Sequence, residues 1–286
     1  MTPVQPAILG LSVLAAWLLL GSSGVRSDSQ TPQGTIGVAS SADFRTIFLI
    51  SPASGQVAKV RAPDKLIGLQ LDLSRDGSRI AFGGTKGIWT MTRTGRRTRR
   101  VLRLSPMAAF APDWVVWSPH GRLLAFTRAE VLFRIPASGG RVSKVTGARA
   151  YAPDWSPVES RILFVRDASL RTGSGVIQSV RLDGKDVRTI VRGGHPDISP
   201  DGTEVAFSRR DGIYVMPLAG GTPTRVVLHG EHPEWSPDGR YLAFTREVQC
   251  GHAGCEGRVF IVKSTGGEAR PIGPRIFEIG PLSWSR

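Results

Sequence analysis

Short apolar runs, separated by polar turn residues, recur along the chain from about residue 35 to its end. Most runs span four to six residues, and Gly, Pro, Asp or Ser divide one run from the next. Apolar runs of this length, bounded by such turns, predict β-strands. Because the runs return at a steady interval, the pattern also predicts that the chain repeats one supersecondary unit.

One repeated motif places a serine directly after a large apolar residue and continues into a second apolar run. Clear copies are LDLSRDGSRIAF from Leu71, VVWSPHGRLLAFTR from Val115 and PEWSPDGRYLAFTR from Pro233. The repeated serines are Ser74, Ser118, Ser156, Ser199, Ser236 and Ser285. They are 44, 38, 43, 37 and 49 residues apart. Ser-Pro-Asp-Gly fits a type I turn, so each copy predicts two strands joined by a tight turn.

A second motif, a small turn with glycine, recurs out of phase with the first. Its six copies are PASGQ at 52, TRTGR at 92, PASGG at 136, RLDGK at 181, PLAGG at 217 and KSTGG at 263. An apolar run precedes each glycine turn, and another follows it, as in TRVVL from Thr224. Each unit therefore holds four antiparallel strands at a period of about 42 residues, which is typical of a β-propeller blade.

The two ends of the chain supply complementary parts of one further blade. The N-terminal part provides strands two to four, in TIGVA, TIFLI and VAKVRA, and the C-terminal LSWSR provides only a first strand. Joining the two ends pairs strand edges that would otherwise be exposed. The sequence therefore predicts an all-β, six-bladed propeller of four-stranded antiparallel blades, closed by the C-terminal strand joining the N-terminal blade.

Packing residues follow the same register. The residues before the serines are Leu73, Trp117, Trp155, Ile198, Trp235 and Trp284. The middle of strand two is Ala81, Ala125, Ala206 and Ala243, with Leu163 as the exception. Small residues facing large ones let adjacent sheets approach closely, so these tryptophans are predicted to pack between blades.

The ordered motifs WSPDG, LAFTR, IYVM and GG resemble the TolB-type WD40-like (PD40) repeat family over residues 34–286. Three copies depart from the family pattern, at Arg75 in place of Pro, His120 in place of Asp, and 158–159 in place of Asp-Gly. The resemblance implies the propeller fold, and it is much less specific for function because one fold hosts many functions.

Two contexts of this repeat set the functional expectations that the resemblance implies. In TolB the propeller follows an α/β domain and is a periplasmic docking surface for envelope proteins. In prolyl-oligopeptidase-like hydrolases a similar propeller is joined to an α/β-hydrolase domain. No such α/β domain precedes Gly34, and no G-x-S-x-G motif occurs, so neither context carries over in full.

The first 27 residues predict an export segment. Ala7 to Leu20 is a compact apolar run, and the small residues Gly21 to Gly24 follow it. This arrangement is typical of a signal peptide, although no Lys or Arg precedes the run, and an uncleaved membrane anchor is the alternative. Residues 28–33 are then a linker and residues 34–286 the propeller. Either alternative predicts an extracytoplasmic protein, in the periplasm, at the cell surface or secreted.

The two cysteines, Cys250 and Cys255, stand close together in CGHAGC. In an exported chain such a pair predicts a disulfide. A metal site would use both thiolates and His252 but would need a fourth ligand. Free thiols are the third alternative.

The formal net charge is +14, and 31 of the 37 basic residues are arginine. This charge favours anionic polymers or membrane surfaces as partners, unless it reflects only a compositional preference for arginine. Export argues against nucleic acid as a partner. The densest basic run is Arg93 to Arg103, which either guards an exposed strand edge or contacts a polyanion.

Aligning the copies reveals a ring of acidic residues two places before the repeated serine. The six residues are Asp72, Val116, Asp154, Asp197, Glu234 and Ser283. The four acids lie on the innermost strands and could hold a cation such as Ca²⁺ in the central channel. Alternatively, each carboxylate caps backbone N–H groups or pairs with a neighbouring blade.

A second ring is basic and lies at the end of strand two. Its members are Arg128, Arg166, Arg209 and Arg246. They predict a basic rim at one mouth of the channel, suited to an anionic ligand or acidic peptide. Pairing with acids such as Asp113 and Glu231 is the structural alternative. His195 and His232 occupy matching places nearby, without the H-E-x-x-H pattern of a metalloprotease.

These features together predict a non-catalytic binding or scaffold propeller at the cell envelope. We expect a monomer without a cofactor that binds an envelope or extracellular protein, or an anionic ligand, at the channel mouth and its loops. The membrane would be contacted only through an uncleaved N-terminal segment. The alternative function is a metal-assisted hydrolase or lactonase with a cation such as Ca²⁺ in the channel.

Overall fold

Twenty-four short strands form six four-stranded antiparallel sheets in the computed structural model. The structure describes residues 31–105, 108–147, 149–167, 175–252 and 254–285. The predicted signal peptide or anchor, and residues 28–30 of the predicted linker, lie outside these ranges. Within them, no helix has the length and apolar character needed to cross a membrane.

The sheets are the predicted blades, which we number I to VI in chain order. Blade I contains β1 (Thr35–Ser40), β2 (Thr46–Ile50), β3 (Val57–Arg61) and the last strand, β24 (Ile279–Ser285). Blade II contains β4 (Leu66–Leu73), β5 (Arg79–Gly84), β6 (Gly87–Thr92) and β7 (Arg99–Arg103). Blade III contains β8 (Asp113–Trp117), β9 (Leu123–Arg128), β10 (Val131–Pro136) and β11 (Ser143–Thr146).

The second half of the ring has the same strand order. Blade IV contains β12 (Ala150–Trp155), β13 (Arg161–Arg166), β14 (Val176–Arg181) and β15 (Arg188–Arg192). Blade V contains β16 (Gly194–Ile198), β17 (Glu204–Arg209), β18 (Gly212–Pro217) and β19 (Thr224–Leu228). Blade VI contains β20 (Glu231–Trp235), β21 (Tyr241–Gly251), β22 (Gly254–Lys263) and β23 (Arg270–Phe277).

The ring closes as the sequence predicts. Strand β24 pairs antiparallel with β1, and Trp284 lies opposite Ile36 in this pairing. The C-terminal strand is thus the innermost strand of the N-terminal blade. The predicted all-β fold, the six blades and their mode of closure are all confirmed.

The repeated serine anchors each tight turn between the first two strands of a blade. In blade VI the Gly239 N–H donates to the Ser236 carbonyl at 2.8 Å, which closes the turn. The Ser236 hydroxyl donates to Asp238 at 2.5 Å and accepts from the Tyr241 N–H at 2.9 Å. Serine accepts a backbone N–H in this turn, and aspartate, where it is present, accepts the serine hydroxyl.

The hydrophobic core lies between adjacent blades. Trp155 of blade IV packs in one buried cluster with Ala125 and Leu132 of blade III, and the same arrangement recurs around the ring. In blade IV, Leu163 replaces the usual alanine and lies opposite Ser179 across the β13–β14 pair. The small serine thus offsets the larger leucine, which keeps the blade spacing.

Asp64, in the connection from blade I to blade II, is buried and joins a loop to a hairpin. It accepts hydrogen bonds from the Thr85 hydroxyl (2.8 Å), the Lys86 N–H (2.8 Å), the Trp89 indole (3.1 Å) and the Lys65 N–H (2.9 Å). Burial acts to raise the pKa of Asp64, but these hydrogen bonds lower it below its usual range. The carboxylate is the acceptor on which the β5–β6 hairpin depends.

We expect Asp64→Asn to lower the free energy of unfolding by about 2 kcal/mol, because an amide NH₂ replaces one acceptor among buried donors. Urea denaturation of the purified protein measures the change. Asp183→Asn, in an exposed turn, is the matched control and should change stability by less than about 0.5 kcal/mol. A stability equal to that of the control would refute the role given to Asp64.

Candidate functional site

A backbone bulge recurs at the start of the innermost strands and shapes one mouth of the central channel. Trp114, Ala152, His195 and His232 have φ angles of 46°, 43°, 47° and 54°, and the strand register shifts there. Bulges of this kind turn a side chain away from the regular strand alternation. Together with Gln70, these residues line the mouth where the innermost strands begin, which we call the entry mouth.

The four predicted acids lie in the channel between the entry mouth and the opposite mouth. Each one accepts a backbone N–H from the next blade. Asp72 accepts from Trp117 at 2.6 Å and Asp154 from Ile198 at 2.9 Å. The other two follow the same rule, Asp197 with Trp235 and Glu234 with Trp284. The acids therefore connect neighbouring blades, as the structural alternative predicted.

Two positions of the ring, Ser283 and Val116, have no acid and make different inter-blade contacts. Ser283 donates its hydroxyl to Asp72 at 2.6 Å and accepts the Leu73 N–H at 3.0 Å. Val116 has no polar side chain, and only its backbone carbonyl takes part, accepting from the Trp155 indole at 3.3 Å. Five of the six inter-blade contacts in this ring thus involve a polar side chain.

These carboxyls share one enclosed space, and this changes their ionisation. Burial raises the pKa of Asp72 to about 6 and that of Asp154 to about 7, with the charge of Asp72 adding to the effect on Asp154. Burial and the neighbouring acids also raise the pKa values of Asp197 and Glu234 well above their usual range. The ring therefore carries only part of its formal negative charge at neutral pH.

The spacing of the acids bears on whether they could hold a metal. Three or more ligand atoms within 4.8 Å of one another occur once in the described ranges, at Glu247, Cys250 and Cys255. The two sulfurs of that group are joined in a disulfide, so they are not free to act as ligands. The ring acids are each directed to a different blade. They do not form a compact set of oxygen ligands of the kind that Ca²⁺ takes.

Arg128, Arg166 and Arg209 end strand two of their blades, and Arg246 occupies the matching place within the longer β21. Three of these arginines hold the segment that leads into the next innermost strand. Arg128 donates through Nε to the Phe110 carbonyl at 3.1 Å, and Arg209 donates to the Arg192 carbonyl at 3.2 Å. Arg246 donates to the His229 carbonyl in the same way. Arg166 instead pairs with its neighbour Asp167 at 3.4 Å.

The structural alternative was pairing with acids such as Asp113 and Glu231, but no ion pair within the described residues joins the rim arginines to either acid. Two of the arginines also stack on aromatic rings. The Arg246 guanidinium lies 4.8 Å from the Phe260 ring centroid, and the Arg209 guanidinium lies 4.7 Å from that of Tyr214. The rim is therefore held in place by carbonyl and ring contacts.

His195 and His232 are in direct contact at the entry mouth. Their ring centroids are 4.1 Å apart, and His195 also lies 5.5 Å from the Trp114 ring. His232 Nδ1 is 2.9 Å from the Thr245 hydroxyl. Burial lowers the pKa of His195 to about 4 and, with the charge of His195, also lowers that of His232. Both imidazoles are neutral at neutral pH and offer an uncharged polar and aromatic surface.

A second recess opens beside the entry mouth, and we call it the side recess. Its main polar lining residues are Arg209, Arg210, Glu231, His232, Arg246 and Glu247. His232 lines both spaces, so the side recess and the channel mouth are neighbours. Burial raises the pKa of Glu231, and the charge of Glu247 adds to the effect. The recess thus presents both charge signs.

The cysteine region between strands two and three of blade VI is a paired hairpin. Strands β21 and β22 stay paired, with one register shift between Glu247 and Gln249, until Gly251 lies opposite Gly254. Cys250 and Cys255 form the predicted disulfide and are directly opposite each other in this ladder. Apolar and polar residues do not alternate along the outer half of this hairpin, because β21 is exposed there.

The six sheets with their radial strand order and central channel define a six-bladed β-propeller of the TolB-like fold. TolB from Acinetobacter baumannii superposes with a TM-score of 0.72 at 16% sequence identity, covering 90% of this chain and 67% of that protein. A second TolB structure, from Agrobacterium tumefaciens, has a TM-score of 0.66 at 16% identity, covering 90% of this chain and all of that protein. No protein-family model and no curated protein sequence matches the chain.

Proposed function

We propose that this protein is an exported, non-catalytic binding propeller that holds a protein ligand on the face of the entry mouth. The observation that carries the proposal is that two neighbouring recesses share His232 as a lining residue. Together they make a concave surface with an aromatic and imidazole collar on one side and charged residues on the other. Irregular loops around such a mouth are the usual binding sites of rigid scaffolds.

The hairpin of blade VI gives this face a stiff wall. Glu247 lines the side recess and belongs to β21, three residues before the disulfide at Cys250. A cross-strand disulfide restricts the hairpin, so less entropy is lost when a ligand is bound against it. The disulfide also supports an extracytoplasmic location, in the periplasm, at the cell surface or outside the cell. We therefore place the ligand among envelope or extracellular proteins, bound by a monomer.

A charge swap in the side recess tests this function. We expect Arg210→Glu combined with Glu247→Lys to weaken capture of envelope proteins at least tenfold, because it inverts the charge pattern at exposed positions of the recess. Affinity capture from envelope extract, quantified by mass spectrometry and followed by titration of the captured protein, measures the change.

The matched control is Lys185→Glu combined with Glu268→Lys, an equal swap in exposed turns away from the entry mouth. It should leave capture of the same protein unchanged. If the control swap removes that protein and the recess swap does not, the ligand lies elsewhere on the propeller.

The alternative function, a cation in the channel that assists hydrolysis, has one observation in its favour. Four carboxyls share the channel, and no arginine or lysine forms an ion pair with any of them among the described residues. Their wide spacing and their backbone contacts argue against a tight metal site. We therefore propose no cofactor and no catalytic residue for this protein.

A further inference from the structure

The positive charge of the protein is concentrated on one side of the ring. Blade II, from Leu66 to Arg103, has nine basic and two acidic residues, a formal charge of +7. Blade III, from Asp113 to Thr146, has five basic and two acidic residues, a charge of +3. Blades V and VI, over Gly194–Leu228 and Glu231–Phe277, have charges of −1 and 0. A general preference for arginine would give all blades a similar positive charge, so composition does not explain the difference between blades.

The basic side chains of blades II and III are not neutralised within the protein. No ion pair in the described ranges involves any of them, whereas blades I, IV, V and VI all contain ion pairs. Of the two acids of blade II, Asp72 lies in the channel. Asp76 accepts hydrogen bonds from Ser74 and Ser78 within its own turn. The outer surface of blade II is therefore almost purely cationic.

Seven exposed arginines lie on blade II and on the adjoining glycine turn of blade III, and we call this set the arginine edge. It consists of Arg75, Arg93, Arg96, Arg97, Arg99, Arg103 and Arg141. The Arg93 N–H donates to the Ser78 carbonyl at 2.8 Å, which places the β6–β7 turn beside the turn that carries Arg75. Arg99 donates to the Ser138 carbonyl and so joins the patch to the glycine turn of blade III.

We propose that the arginine edge is a docking surface for a flexible polyanionic chain that bears phosphate groups. An arginine guanidinium can donate two parallel hydrogen bonds to the oxygens of one phosphate, whereas a lysine acts as a point charge. The basic residues of the arginine edge are all arginines. Arginines lie at both ends of β7, the outermost strand of its blade, which spans about 13 Å from Arg99 to Arg103. Six of the seven arginines lie at the turn end of blades II and III, and Arg103 lies at the other end of β7, so a chain that runs along β7 reaches all seven.

The distribution of exposed apolar side chains favours a polymer, and not a membrane, as the ligand of the arginine edge. Exposed large apolar side chains occur at Phe44, Val57, Phe110, Val158, Val187, Leu228 and Val248. One of them, Phe110, lies in the connection from blade II to blade III, and the described strands and turns of these two blades carry none. Membrane-binding surfaces of proteins usually combine basic residues with apolar side chains that enter the lipid, and the described part of this edge has none.

Binding of long-chain inorganic polyphosphate by the full chain tests the proposal. We expect the triple variant Arg93→Gln, Arg96→Gln and Arg97→Gln to bind at least tenfold more weakly at low salt. We also expect the slope of log affinity against log salt to decrease by about 2, since three phosphate contacts are lost. Fluorescence titration over a salt series measures both quantities, and an unchanged melting temperature shows that the fold is intact.

The matched control is Lys59→Gln, Lys185→Gln and Arg192→Gln, which removes the same charge from blades I and IV. It should bind polyphosphate within twofold of the wild type. Equal losses in both variants would mean that net charge alone acts, and would overturn the proposal. Phosphatidylglycerol vesicles are the second probe: if the triple variant loses vesicle binding but not polyphosphate binding, the edge is a membrane surface and the proposal fails.

Discussion

Deleting residues 279–286, which contain β24, is expected to abolish cooperative folding of the propeller. The deletion removes the innermost strand of blade I and exposes the edge of β1 along its length. Leu282 and Trp284, which are 3% and 7% exposed, leave the core cluster between blades VI and I. Each such side chain contributes about 1.5–3 kcal/mol by burial, and the lost strand pairing adds to this. A domain stable by about 5–15 kcal/mol does not survive that loss.

The same deletion also breaks the polar ring in the channel. Ser283 no longer donates to Asp72, and Glu234 loses the Trp284 N–H. Two buried carboxyls are thus left with fewer hydrogen bonds, which adds an electrostatic cost to the lost packing. Thermal unfolding followed by circular dichroism should show a broad transition without a defined midpoint.

A peptide of residues 279–286 added in trans is the control for this deletion. It should pair with β1 and restore a cooperative transition at high peptide concentration, by mass action. A truncated protein that melts within a few degrees of the wild type would show that the ring does not depend on this closure.

The fold was predictable because six imperfect copies of the sequence repeat share the same order of strands and the same turn residues. The blade core was predictable for the same reason, since Trp155 and Ala125 occupy repeated positions with a clear size pattern. The exception at Leu163 needed the structure, because its compensating Ser179 lies on another strand and becomes its partner only through the register. A single sequence gives no signal for such a pair.

The site was less predictable than the fold. Sequence position placed Asp154 and Asp197 in one ring, but their backbone partners on the next blade depend on how the blades pack. The bulges at Trp114 and His195 had no sequence signal, because non-glycine residues rarely adopt positive φ. The side recess is lined by residues from a bulge, from the basic rim and from the β21–β22 hairpin, and these meet only in the folded protein.

Asp154→Asn is expected to stabilise the protein at pH 8 by up to about 4 kcal/mol. Burial raises the pKa of Asp154 to about 7, whereas an unfolded aspartate titrates near 4. The folded state therefore favours the protonated acid, and the stability that this proton supplies is present below about pH 4 and is lost as pH rises through about 7. Asparagine remains neutral at all pH values and still accepts the Ile198 N–H through its amide oxygen.

The difference in melting temperature between this variant and the wild type, measured from pH 4 to pH 8, tests the claim. It should be near zero at pH 4 and grow to roughly 8 °C at pH 8. His195 and His232 titrate in the opposite sense, because burial lowers their pKa values and stability is lost as pH falls. Both proteins contain these histidines, so their contribution cancels in the difference. A flat difference curve would mean that Asp154 is solvated and ionised in the native channel.

The same pair of proteins separates the two functional proposals. A cation held by the acidic ring would stabilise the wild type at pH 8 and would not stabilise the variant, by an amount that grows with cation concentration. We expect CaCl₂ to shift neither melting temperature beyond the shift given by NaCl of equal ionic strength, because the ring acids are bonded to separate blades. A calcium-specific increase confined to the wild type would favour the channel cation over the binding propeller, and would make the enzymatic alternative the one to pursue.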